Sequence, residues 1–195
     1  MMVGLVLAAG AGRRLGRGPK ALLDLTGEGR TQVERTVAAL RAGGCEDVVV
    51  VVGAGGEQVR DLLRTDPCRV IHNPEWESGM ASSFRLGVDA CSGGFVMVAL
   101  VDQPDLTADL IEHLRNAAAP DRVVAAGYPG DDGELVRGHP LIFPVDLARA
   151  AAASAHGDVG ARDWLHAHPR LVELIDVGAW GTGADIDTPG DLRCE

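Results

Sequence analysis

Lys20 is the one lysine among the 18 basic residues of this chain. It sits in a glycine-rich stretch, Gly10-Ala11-Gly12-Arg13-Arg14-Leu15-Gly16-Arg17-Gly18-Pro19-Lys20. An ammonium is a compact charge on a flexible stem, whereas a guanidinium is a planar fork. A loop that cradles phosphate uses such a point charge together with backbone N–H groups, which glycines let approach the anion. Four of the 18 basic residues (Arg13, Arg14, Arg17 and Lys20) fall in this one loop, in a chain of formal charge −10. The loop follows the apolar run Met2 to Ala9, which reads as a buried strand. A basic surface turn is the plainer reading, but strand, glycines and lone lysine together favour anion binding.

The spacing departs from both familiar phosphate loops. Leu15 stands where the dinucleotide fingerprint needs its third glycine, and Lys20 is followed by Ala21 rather than Ser or Thr. A second chemical candidate is Asp102, a carboxylate closing the apolar run Phe95 to Val101. A carboxylate there can hold a cation beside a phosphate, and Mg²⁺ favours one or two carboxylates completed by phosphate oxygens and water. The competing role, capping the next turn, suits Asp105 better. Asp185 and Asp187 precede Thr188-Pro189 and, taken alone, read as helix caps. Ser82 and Ser83 likewise open a helix. His166-Ala167-His168 has the spelling of a metal pair but no third ligand near it in sequence, and reads as surface.

The elements that position these groups alternate strand and helix. Strands are expected at 2–8, 47–52, 69–71, 95–101, 122–126 and 171–177. Helices are expected at 31–42, 56–64, 80–91, 107–118, 145–155 and 158–167, with a terminal turn at 188–193. The stretch 127–138, rich in Gly and Asp, reads as a loop or hairpin. The valines of Asp47 to Val52 suit a strand buried on both faces. The alternation predicts an α/β fold, a three-layer, Rossmann-like, mostly parallel sheet with helices on both faces. Ligands of such sheets bind beyond the carboxyl ends of the strands, which is where both the lysine loop and Asp102 fall. A length of 195 residues suits one domain, 1–195. The acidic balance argues against a nucleic-acid polymer as partner. Cys45, Cys68, Cys91 and Cys194 have neither zinc nor disulfide-framework spacing. With no charged n-region before the first apolar run and no membrane-length apolar stretch, a cytoplasmic protein is expected.

Leu7-Ala8-Ala9-Gly10-x-Gly12-x-Arg14-x-Gly16, with Lys20 shortly after, resembles the signature of nucleotidyltransferases that join a nucleoside triphosphate to a phosphorylated acceptor. Asn73 to Ser83, Val101-Asp102-Gln103-Pro104, Gly138-His139-Pro140, Gly157-Asp158-x-Gly160-Ala161-Arg162 and Asp185-Ile186-Asp187-Thr188-Pro189 extend the likeness, in order, to molybdopterin cytidylyltransferases and related molybdenum cofactor nucleotidyltransferases. The resemblance implies the nucleotide-diphospho-sugar transferase type of fold. It implies a nucleotide site of Leu7, Ala8, Ala9, Gly10, Gly12, Arg14, Lys20, Gly79, Met80 and Ser82, with Arg14, Lys20 and Asp102 catalytic. Mg²⁺ would sit on Asp102 and Asp187, and the acceptor would meet His139, Asp158 and Arg162. The implied reaction is Mg²⁺-dependent attack of a molybdopterin phosphate on the α-phosphorus of a nucleoside triphosphate, CTP first and GTP next, releasing pyrophosphate. A molybdoenzyme or its chaperone is the protein partner that follows. Within the family an apolar residue that docks the first helix usually follows Gly27. Here Glu28 to Gln32 is polar, and no site is placed there.

Three alternatives stay open at this stage. One is a sugar-phosphate acceptor. Another is an NAD(P)H-dependent pigment or quinone-type oxidoreductase, an assignment some relatives of this group carry; Gly53, where a dinucleotide site would want an acid, counts against it. The third is a non-catalytic cofactor carrier, against which the retained Lys20, Asp102 and Asp187 weigh.

Overall fold

The computed structural model describes residues 1–191. One sheet of seven strands forms the middle layer: β1 (Met2–Ala8), β2 (Asp47–Val52), β3 (Arg69–His72), β4 (Phe95–Leu100), β5 (Val123–Pro129), β6 (Leu135–Pro144) and β7 (Val172–Asp176). Their order is β3-β2-β1-β4-β6-β5-β7. All neighbours run parallel except β6, which is antiparallel to both β4 and β5. Helices α1 (Gln32–Ala42), α2 (Gly56–Leu62) and α4 (Ala108–Asn116) cover one face, and α3 (Met80–Ala90), α5 (Val145–Ser154) and α6 (Arg162–Ala167) the other.

The valines of β2 show why these residues make a central strand. Val48, Val50 and Val52 enter the core under α1, α2 and α4, while Val49 and Val51 enter the opposite core under α3. All five are fully buried, each worth roughly 1.5–3 kcal/mol of transfer free energy. Their β-branched stems also suit the pleated backbone.

Strand β6 corrects the expected topology. The loop or hairpin expected at 127–138 is a hairpin of β5 and β6, but residues 139–144, expected in no element, continue β6 into a ten-residue strand between β4 and β5. Gly138, Pro140 and Pro144 interrupt its pattern, and Pro140 can donate no ladder hydrogen bond. Only Leu141-Ile142-Phe143 looks like a strand core. The helix expected at 158–167 begins only at Arg162, because Gly157 to Ala161 form a loop. Of the terminal turn expected at 188–193, Pro189–Asp191 form a 3-10 turn preceded by a bend at Thr188; Leu192, Arg193 and Cys194 lie outside the described residues. Cys45, Cys68 and Cys91 are free thiols. Among the described residues no helix is long and apolar enough to cross a membrane.

The polar start of α1 has a use. Thr31 and Glu34 form a reciprocal capping box. Buried Gln32 reaches across to donate from Nε2 to the Gln103 carbonyl at 3.0 Å, so α1 is docked by a hydrogen bond onto the turn that carries Asp102.

Candidate active site

The carboxyl ends of β1 and β4 and the segment after β3 surround a cleft of about 390 Å³. The glycine loop forms one wall. Gly12 has φ +63°, and a side chain there would strike the Gly18 carbonyl oxygen at 2.0 Å. Only glycine lets the loop fold back so tightly. Gly16 N–H donates to the Gly12 carbonyl at 3.1 Å, and buried Leu15 anchors the loop from inside. This explains the departure from the dinucleotide pattern: position 15 is a core anchor rather than a close approach to a ligand.

Lys20 points from this loop to two carboxylates. Its Nζ lies 3.1 Å from Asp102 Oδ2 and 2.5 Å from Asp187 Oδ1, and Arg14 Nη2 is 3.0 Å from Asp187 Oδ2. The side chains are 13% exposed for Lys20, 22% for Asp102 and 31% for Asp187, so the cluster is partly shielded from solvent. Partial burial lowers the ammonium pKa, but the hydrogen bonds and charges of Asp187 and Asp102 outweigh it and leave Lys20 above its ordinary value. The late loop is brought here by the backbone: Ile186 N–H donates to the Asp102 carbonyl at 2.9 Å. Asp187 thereby becomes a partner of Asp102, although 85 residues separate them in the chain. Arg13 reaches Glu77 at 3.2 Å, an exposed pair that contributes little.

One atom of this cluster is left over. Asp102 Oδ1 is buried without a hydrogen-bond partner, and a buried acceptor without a donor is costly. Among the described residues no three His, Cys, Asp or Glu gather as a self-contained metal site. Two hard carboxylates, one with an uncommitted oxygen, do fit a hard divalent cation whose other ligands are phosphate oxygens and water.

The second wall is built on Asn73. This buried amide donates from Nδ2 to Ser82 Oγ (2.8 Å) and Ser83 Oγ (2.9 Å), and its Oδ1 accepts from Glu75 N–H (2.9 Å). Ser82 spends its own hydroxyl on the carbonyls of Gly79 (2.9 Å) and Glu75 (3.1 Å). It does not line the cleft, whereas Ser83 does. Ser83 accepts from Asn73 and has no acceptor for its own hydrogen among the described residues. Gly79, with φ +113°, lies so close to the Gly157 carbonyl that a side chain would meet it at 2.4 Å. Ala81 N–H donates to that carbonyl (2.9 Å), and Met80 N–H donates to Asp158 Oδ1 (3.3 Å). Trp76 closes this end, its ring stem packed on Gly53 at the end of β2.

Of the residues expected at the nucleotide, Leu7, Ala9, Gly10, Gly12, Arg14, Lys20, Gly79 and Met80 line the cleft, with Asp102 and Asp187 at its floor. Ala8 points instead into the core under α1. Trp76, Glu77 and Leu100 also line it and were not singled out as site residues. Alternation along β1, which faces Leu7 and Ala9 oppositely to Ala8, is the signal that would have excluded Ala8.

The residues expected at the acceptor divide. Asp158 lines the nucleotide cleft. His139 and Arg162 do not, and lie on the β6 side of Asp102. Burial pushes the His139 imidazole down to about 4; the Asp102 charge opposes this, and Arg137 and Arg162 reinforce it. Tyr128 Oη donates to the His139 carbonyl at 2.8 Å. His139 is therefore neutral at pH 7. Because the unfolded chain binds this proton near pH 6.5 and the fold resists it until about 4, stability falls as pH drops through that window, by no more than about 3 kcal/mol. His139→Gln is expected to flatten that part of the acid limb in urea unfolding measured from pH 7 to 4; an unchanged slope would show that His139 protonates freely. His168, of the His166–His168 pair, stacks on Trp164 at 4.4 Å.

A family model described as MobA-like NTP transferase domain matches residues 4–172. Nicotine blue oxidoreductase from Paenarthrobacter nicotinovorans is 43% identical over 190 residues, 96% of this chain and 92% of that protein. A probable molybdenum cofactor guanylyltransferase from Mycobacterium ulcerans is 34% identical over 165 residues, 80% of this chain and 75% of that protein. Among solved structures, Rv0371c of Mycobacterium tuberculosis matches with a TM-score of 0.80 at 26% identity, over 97% of this chain and 94% of that one. The same protein has also been solved in complex with manganese, with a TM-score of 0.77, 24% identity and coverage of 97% and 95%. The sheet is thus of the nucleotide-diphospho-sugar transferase type. Family match, fold and the loop-and-carboxylate cleft agree: the chain belongs to the MobA-like NTP transferase family and is a nucleotidyltransferase.

Proposed function

We propose that this enzyme transfers a nucleotidyl group from a nucleoside triphosphate, CTP by preference and GTP as the alternative, to the phosphate of a molybdopterin-type acceptor, with Mg²⁺. The observation that carries this is the Lys20 ammonium, held by Asp102 and Asp187 at the mouth of a glycine loop while Asp102 Oδ1 stays uncommitted.

The chemistry needs little covalent help. An acceptor phosphate oxygen forms a bond to the α-phosphorus, the bond to the bridging oxygen of the β-phosphate breaks, and pyrophosphate leaves with that electron pair. A phosphate monoester is already anionic at neutral pH, so no general base is required, and positioning with charge neutralisation dominates. Loop N–H groups, Arg14 and Lys20 would hold the triphosphate, and the raised pKa of Lys20 keeps it cationic throughout. Mg²⁺, when bound by Asp102 and Asp187, would neutralise charge at the α-phosphate and the attacking oxygen.

Base reading falls to the Asn73 wall. Ser83, committed as an acceptor to Asn73, has its hydrogen to offer to a base carbonyl or ring nitrogen. Ser83→Ala is expected to raise the KM for the preferred nucleotide about 5- to 20-fold, the loss of one hydrogen bond, and to narrow the preference between bases. Equal KM values would remove Ser83 from base recognition.

The name of the Paenarthrobacter relative supports a second reading, reduction of a quinone-like pigment by a nicotinamide cofactor. Against it stand buried Leu15 in the dinucleotide pattern and the packing of Trp76 on Gly53, where such a site would want a carboxylate. The test is direct: pyrophosphate release that needs both acceptor and divalent cation supports transfer, and metal-independent oxidation of NADH or NADPH with a pigment acceptor supports reduction.

A further inference from the structure

Gln32 is almost fully buried, at 1% exposure, yet its amide oxygen Oε1 has no hydrogen-bond partner among the described residues. Docking α1 does not call for such a residue. Val33, Val37 and Leu40 already seat the helix in the core, and an apolar side chain at position 32 would leave no acceptor unpaired. The amide is therefore costly where it stands, and what it supplies in return is one bond: Nε2 donates to the Gln103 carbonyl at 3.0 Å, across 71 residues of chain. Departures of this kind from a well-satisfied core concentrate at functional positions.

That bond ends beside Asp102. Strand β4 stops at Leu100, so Asp102 and Gln103 stand in a turn outside the sheet ladder. The Gln103 carbonyl also accepts from Leu106 N–H, at a longer 3.4 Å, and the Asp102 carbonyl accepts from Ile186 N–H at 2.9 Å. On its other side, Gln32 N–H donates to the Leu23 carbonyl at 2.8 Å, and Leu23 N–H donates to the Lys20 carbonyl at 3.1 Å. Gln32 thus bridges the two turns whose side chains meet at Lys20 Nζ and Asp102 Oδ2. It holds the lysine turn by its backbone and the aspartate turn by its side chain. Its own carbonyl accepts from Thr36 Oγ1 at 2.8 Å, and the Thr31–Glu34 capping box fixes the helix start around it.

We propose that Gln32 is a positioning residue for the Asp102 carboxylate, acting through the Gln103 carbonyl. The inference rests on the reading of Asp102 and Asp187 as the carboxylates that take the divalent cation, and adds what holds one of them in place beforehand. A carboxylate on an unsupported turn has to be ordered at the moment of binding, and the freedom lost then weakens the complex. Groups one step behind a metal's ligands fix the orientation of those ligands, and losing one lowers metal affinity by about 10- to 100-fold.

Gln32→Met tests this, because methionine keeps the length and unbranched shape, loses the donor and removes the unpaired oxygen. Mn²⁺ alone is titrated by calorimetry into the nucleotide-free protein, and melting curves are recorded without metal. Gln32→Met is expected to weaken Mn²⁺ binding by about tenfold and to melt no more than about 4 °C below wild type. Thr31→Ala breaks the capping box but leaves the bond to Gln103. It is expected to show the opposite pattern, a melting temperature lower by about 2–8 °C and an Mn²⁺ affinity within about twofold of wild type. Unchanged Mn²⁺ affinity in Gln32→Met, a larger fall in its melting temperature, or equal weakening in Thr31→Ala would each leave Gln32 a docking residue only and overturn the proposal. A wild type that binds no Mn²⁺ would instead take the metal off the carboxylate pair, and the inference would fall with that reading.

Discussion

Asp102→Asn is expected to reduce divalent-cation-dependent turnover by about 10²- to 10³-fold, the range seen when one preorganised electrostatic group is removed from a reacting phosphate or oxyanion. The fold should hardly notice. The asparagine keeps one oxygen able to accept from Lys20 Nζ, as Asp102 Oδ2 does at 3.1 Å, and the substitution removes half of a charge pair that a single ammonium must satisfy. Its amide nitrogen takes the place of Asp102 Oδ1, which has no partner, so one unpartnered polar atom replaces another. The check is pyrophosphate release beside a thermal melt. A melting temperature within about 4 °C of wild type corresponds to less than roughly 1–2 kcal/mol. A variant keeping more than about a tenth of wild-type turnover would place the metal elsewhere.

Lys20→Ala is expected to act in two opposite directions. Turnover should fall by about 10²-fold or more, because the ammonium is the one flexible point charge in the triphosphate loop. Binding of Mn²⁺ alone to the nucleotide-free protein should instead strengthen, by at least about tenfold, since the ammonium now stands between the two carboxylates that would hold the ion. Without metal the variant leaves Asp102 and Asp187 facing each other with only exposed Arg14 as counter-charge, so it should be less stable than wild type. Added Mn²⁺ should restore the loss by mass action. Titration calorimetry with Mn²⁺ and melting curves with and without it read both effects. Weaker or equal Mn²⁺ binding in the variant would show that Lys20 and the cation do not compete for one place, and would move the metal off the Asp102–Asp187 pair.

The β1 loop, the valines of β2 and the apolar run of β4 were legible because local pattern and tertiary role agree there. A strand buried on both faces must be apolar at every position, and the turn behind it must be glycine where φ is positive, as at Gly12. Strand β6 was legible only as one arm of a hairpin near 127–138; its length and its place between β4 and β5 were not, because their cause is tertiary: it is antiparallel to both neighbours and carries a bulge at Gly138–Pro140. Ser82 and Ser83 could not be separated in sequence, since two adjacent hydroxyls at a helix start look alike until Asn73 is seen to fix both and the Gly79 carbonyl to claim one. Asp187 entered through family likeness alone. The hydrogen bond from Ile186 to the Asp102 carbonyl supplies the physical reason for its place beside Asp102. Gln32 shows the reverse case, a polar residue at an expected apolar docking position that docks by hydrogen bonding to Gln103.

The most direct single measurement is pyrophosphate release by the full chain with Mg²⁺ and molybdopterin, supplied in turn with CTP, GTP, ATP and UTP. Release that requires the acceptor and is strongest with CTP, with GTP next, is the predicted result. Acceptor-independent release, or none with any of the four nucleotides, would contradict transfer to a molybdopterin phosphate and turn attention to the pigment-reductase reading.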